Sequence, residues 1–249
     1  MNGGAFLFKI IKEYIIDPFK EGREEAKQEA EQEKQEQGQR TSDVIADLTY
    51  PEMFAASLAA PFRATVFLDW FSLFKKEEND SEEQPILHLL CFGAIADLKK
   101  EDIRSLKVQQ ETSFTITSGE EALIVAKANL QAAGIQLSSL QAVSDSSENL
   151  PQQLNLTALE IGIAATVLVS AVDTNLLQKD QVLAIFEELI PKVQGKFESW
   201  EDYGTQLLDQ EAIVKFNTGF SRKQLEKTME NLLCKSDSPW QFVKWNLNS

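Results

Sequence analysis

Apolar residues recur along this chain at the three- and four-residue spacing of amphipathic helices, and that periodicity sets the reading of the fold. From Ala5 to Ile16 the stripe is Leu7, Ile10, Ile11, Tyr14 and Ile15. Asp17-Pro18 punctuates it, because proline disfavours helix at the residue before it. From Lys20 to Gln37 the chain is Glu, Gln, Lys, Arg and Ala, with high helix propensity and nothing large to bury. The pattern predicts a solvated helical arm or partly disordered tether ending near Gly38.

After Thr41-Ser42 the apolar patterning resumes and continues almost to the end. Pro51 and Pro61 stand where proline often opens a helix, and the second stretch carries Phe67, Trp70, Phe71 and Phe74. Such an aromatic stripe reads as core. Five acids between Glu77 and Glu83 read as an exposed loop; a calcium loop would need other ligand spacing and a central glycine. Pro85 opens the stretch Ile86–Ala96, apolar nearly all round, which predicts a helix through the middle of the domain. The alternating run Ser113–Thr117 is expected to be an extended lead-in, since one strand makes no sheet. Ser118-Gly119-Glu120-Glu121 has capping-box spacing, with Gly134 placed to close the helix that follows. Residues 138–153, rich in Ser, Gln and Asn, are expected to be a loop.

Leu156–Val172 is the most apolar helix expected, yet its uncharged run from Ile161 to Val172 is too short to span a bilayer. Pro191 should kink or end the next helix, marked by Leu183, Phe186, Leu189 and Ile190. The expectation is an all-α protein. An amphipathic helix and charged arm over 1–40 precede a single globular helical domain over 41–249.

Charge narrows the function classes. Lys and Arg total 24 against 39 Asp and Glu, a net charge of −15, which disfavours nucleic acid and anionic bilayers. The amino terminus is not expected to be a secretory signal: it lacks a positive start, and Lys9, Lys12, Glu13 and Asp17 interrupt its apolar stretch. A cytoplasmic protein is the consequent expectation. Two cysteines and one histidine leave little for a disulfide scaffold or a zinc site. No metal and no cofactor is expected. His88 and Cys91, three apart, would share a helical face, and a buried thiol beside a core histidine is the favoured reading over a catalytic pair. Glu160, Asp173 and Asp202 are the carboxylates an acid–base enzyme would use. Yet Glu160 and Asp173 are thirteen helical residues apart, roughly 20 Å, against roughly 5–10 Å for a glycosidase pair. No Gly-rich phosphate loop, metalloprotease signature or internal repeat is present.

Four elements then stand in a recognisable order. They are Leu159-Glu160-Ile161-Gly162-Ile163; Phe197-Glu198-Ser199-Trp200-Glu201-Asp202; Leu208-Asp209-Gln210; and Ser238-Pro239-Trp240 followed by Trp245-Asn246. Over residues 117–246 this arrangement resembles a bacterial domain-of-unknown-function family, the one numbered 1266. That family's pattern has a Trp-Asp-x-x-Arg helix, a Ser-Trp helix ending in Gly-Arg, and a terminal Ser-Pro-Trp element with a further Trp. This chain has Glu160 for the Asp, Ile163 for the first Arg and Asp209-Gln210 for Gly-Arg. A polar site built on those arginines in relatives would be lost here. The resemblance implies structural roles for Glu160, Ser199, Trp200, Pro239, Trp240 and Trp245, with Ser199 as a helix cap, and supports the fold rather than a reaction.

The functional expectation is a non-enzymatic interaction or accessory protein of the bacterial cytoplasm, engaging another protein through Leu7, Ile10, Ile11, Tyr14 and Ile15. Packing on the protein's own body is the simplest alternative for that stripe, and a membrane surface is the disfavoured one, since its lysines are offset by acids. Two other classes stand behind it: a toxin- or secretion-locus component such as an immunity factor, and a carboxylate-dependent enzyme.

Overall fold

A computed structural model describes residues 43–66, 87–96, 98–144, 157–208, 219–236 and 238–247. The chain divides into two compact units, Met1–Asp47 and Leu48–Ser249. Of the first, residues 43–47 form a helical turn. The amino-terminal stripe, the charged arm, the aromatic stripe 67–74 and the acidic stretch 77–83 all lie outside the described residues.

The second unit is all-α. Its helices are α1 (Tyr50–Val66), α2 (Leu87–Leu90), α3 (Lys100–Phe114), α4 (Gly119–Ala132), α5 (Thr157–Asp173), α6 (Lys179–Gln194), α7 (Trp200–Leu207), α8 (Gly219–Cys234) and α9 (Pro239–Phe242). Two 3-10 turns, Gly93–Ala96 and Ser138–Leu140, complete the described elements. Helix α5 is the axis. Of its 17 residues, 15 are buried, as its lack of a polar face requires. It packs most extensively against α4 and α1, and α1 also meets α6 and α8.

The α1–α5 approach is close because Gly162 carries no side chain. A Cβ there would stand 2.5 Å from Phe62 Cε2 and 2.8 Å from the Tyr203 hydroxyl. Thr166, one turn on, turns its hydroxyl back to Gly162 O at 2.7 Å, which satisfies it inside the apolar helix.

Several local signals work as their spacing predicts. The Ser118 hydroxyl accepts from the Glu121 amide, while the Glu121 carboxylate accepts from the amides of Thr117 and Ser118. Gly134, at φ +72°, closes α4. The Ser199 hydroxyl accepts from the Asp202 amide at 3.1 Å, and Asp202 in turn accepts from the Glu198 amide at 3.0 Å. The Ser138–Leu140 turn lacks a side-chain cap of its own, and a neighbour supplies one. The Glu188 carboxylate of α6 accepts from the amides of Ser138 and Ser139 at 2.6 and 3.0 Å, fixing that 3-10 turn to the helix.

Four expectations change. Pro61 does not open a helix; it sits inside α1, which runs unbroken from Tyr50 to Val66. Pro191 likewise does not end its helix: it sits within the last turn of α6, which runs on to Gln194. The stretch 86–96 is not one helix: α2 ends at Leu90, and Ile95 on the 3-10 turn is 40% exposed. Ser113 and Phe114 are not extended either, but the end of α3, with Thr115 at φ 56° as its left-handed C-cap.

Two outcomes test the capping arguments. Ser199→Ala removes one satisfied amide at the start of α7 and should lower stability by about 0.5–2 kcal/mol in urea unfolding. Hydrogen bonds from Ser139 and Ser138 hold the Glu188 pKa down, from its ordinary 4.5 to about 2. Depression means that its stabilisation is present above the unfolded value and fades as pH falls toward the folded one. The stability gap between the parent and Glu188→Gln should therefore be full at neutral pH and close between about pH 4.5 and 2.

Candidate functional site

Two constellations gather the side chains with chemical capacity. The first forms around the carboxy-terminal tail. Ser238 caps α9, its hydroxyl accepting from the Trp240 amide at 3.1 Å, and Pro239 fills the first helical position, where a missing N–H costs nothing. The tail is thus a short helical turn that ends on the extended backbone of Val243.

It folds back into the body, with Trp240 4% and Trp245 7% exposed. Trp200 stacks on Trp240 with centroids 5.3 Å apart and meets Trp245 edge-on at 4.7 Å. Phe54, Phe197 and Tyr203 close the cluster. Each indole N–H of the cluster donates to a main-chain carbonyl: Trp200 to Val243 at 2.7 Å, Trp240 to Ser57 at 2.9 Å, Trp245 to Phe197 at 3.1 Å. The Tyr203 hydroxyl donates to Leu58 O at 3.3 Å, and burial raises its pKa. The Tyr50 hydroxyl donates to Trp245 O at 2.7 Å and accepts from Gln194 Nε2 at 2.9 Å. Gln194 Nε2 also donates to Trp245 O. These aromatic groups are all engaged with their own chain, an arrangement suited to packing.

The second constellation is a buried ion pair. Arg63, on α1, and Asp173, the last residue of α5, meet at 2.7 Å with both side chains 0% exposed. Arg63 Nη1 also donates to Cys91 O at 3.1 Å, and Asp173 Oδ1 accepts from the Gly93 amide at 2.7 Å. The pair therefore binds the main chain of 91–93 to two long helices. Gly93 turns there at φ +75°, a left-handed conformation that favours glycine, and so the apolar stretch after Leu90 cannot continue as α-helix. Burial pushes the Asp173 carboxyl above its ordinary value, against the lowering pull of Arg63 and of the Gly93 amide. On the outer side, Lys179 Nζ meets Glu52 Oε1 at 2.5 Å and lies 5.7 Å over the Phe92 ring.

Cys91 sits inside this junction at 0% exposure, and burial pushes its thiol up to about 12. Arg63 and Lys179 pull it down less, and Glu52 and Asp173 oppose them. A protonated, inaccessible thiol is no nucleophile. Cys91 also lies beyond the end of α2, so it does not share a helical face with His88. Neither Cys91 nor Cys234 is in a disulfide.

The candidate carboxylates go to separate tasks. Glu160 is buried in the first turn of α5, Asp173 holds Arg63 at the other end, and Asp202 braces the start of α7. Trp200, Trp240 and Trp245 come together; Ser199 and Pro239 shape the backbone beneath them. Leu7, Ile10, Ile11, Tyr14 and Ile15 lie outside the described residues.

Sequence reasoning missed Arg63, Tyr50, Glu52, Lys179 and Gln194. One signal was present: Arg63 is the single basic residue between Met53 and Phe74 and needs a buried partner. Among the described residues, no group of three or more His, Cys, Asp or Glu is placed to hold a metal ion. No described helix is long and apolar enough to cross a membrane.

Breaking the pair should hurt more than removing it. Arg63→Met leaves Asp173 buried without its cation and should destabilise by about 3–5 kcal/mol, whereas Arg63→Met with Asp173→Leu should recover most of that loss. Denaturant midpoints of the two variants check this; equal losses would contradict it.

Comparison with curated proteins and with solved structures gives no match. A family model does match, from residue 13 to residue 245, well beyond the 117–246 stretch in which the motifs stand out. Its description is "Protein of unknown function (DUF1266)", and the chain belongs to that family.

Proposed function

We propose that this protein is a non-enzymatic interaction or accessory protein of the bacterial cytoplasm, engaging another protein through the apolar stripe Leu7, Ile10, Ile11, Tyr14 and Ile15. One observation carries the reading. The described groups best equipped for chemistry, Arg63, Asp173 and Cys91, are fully buried and bound up with one another and with the main chain. Side chains in that state hold a fold together and present nothing to a substrate.

Two features of the sequence support the rest. A sticky helical stripe followed by a segment with nothing to bury suits a tethered docking helix. The net charge of −15 favours a basic partner, since complementary potentials speed and select encounters. An immunity factor of a toxin or secretion locus would share that electrostatic logic.

The test uses the full chain with Ile11→Glu and Ile15→Glu together. Affinity capture from the native host should recover a partner with the parent and lose it with the variant, at an unchanged melting temperature. Partner retention by the variant would contradict the reading. So would a large fall in melting temperature, which would assign the stripe to the protein's own core.

A further inference from the structure

We draw no further inference here: the strongest candidate, the row of side-chain donors Tyr50, Gln194 and Trp200 that holds the carbonyls of Val243, Lys244 and Trp245 in the manner of a peptide-binding groove, belongs to the site already described, because the segment it holds is the chain's own buried tail.

Discussion

A proline inside a helix leaves the carbonyl four residues earlier without its amide donor. In α1 that carbonyl belongs to Ser57, at a residue with no exposed surface, where a lost hydrogen bond cannot be replaced by bulk water. The Trp240 indole N–H supplies the bond at 2.9 Å. Next to it, the carbonyl of Leu58 receives the Tyr203 hydroxyl. Pro61 thus turns the Ser57 carbonyl, inside an apolar helix, into an acceptor for the tail. Much follows from that requirement. Trp240 must reach Ser57, so the tail must fold back; Ser238 and Pro239 bend it there; and Trp200 and Trp245 pack on the ring that arrives. The tail in return has its own carbonyls taken by Trp200, Tyr50 and Gln194.

The Arg63–Asp173 pair does comparable work on the opposite side of Pro61, two residues further along α1. Two charges at zero exposure are poor sources of net stability, because their desolvation offsets their attraction. Their value lies in geometry. A carboxylate with two oxygens and a guanidinium with several N–H groups fix α1, α5 and the main chain of 91–93 at once. The same engagement withdraws these groups, and the thiol of Cys91 beside them, from solvent. Fold and proposed function therefore meet in one observation: Arg63, Asp173 and Cys91 are buried in the chain's own junction.

How much of this was legible in the sequence depended on the range of the signal. Local ones read well. The capping box at Ser118, the cap at Ser199 and the limits of α5 follow from neighbouring residues. Two failures came where a distant residue overrides a local rule. Pro61 looks like a helix opener until Trp240, far along the chain, satisfies the carbonyl it frees. The stretch 86–96 looks like one helix until Arg63 and Asp173 claim the carbonyl of Cys91 and the amide of Gly93. Asp173 read as a spare carboxylate because nothing near it in sequence names Arg63. The family motif located the tryptophans but not their partners on α1, which lie outside the motif.

The dependence of the tail on the proline-freed carbonyl is most directly tested by a double-mutant cycle between Pro61→Ala and Trp240→Phe, read as unfolding free energy. Phenylalanine keeps most of the apolar ring but has no N–H, so in the parent it leaves Ser57 O unsatisfied, a loss of about 1–3 kcal/mol. Alanine at 61 restores an amide that can pair with Ser57 O, and Trp240→Phe should then be markedly less harmful. Positive coupling is therefore expected between residues 179 positions apart in sequence. Additive losses, with Trp240→Phe equally damaging in both backgrounds, would contradict it.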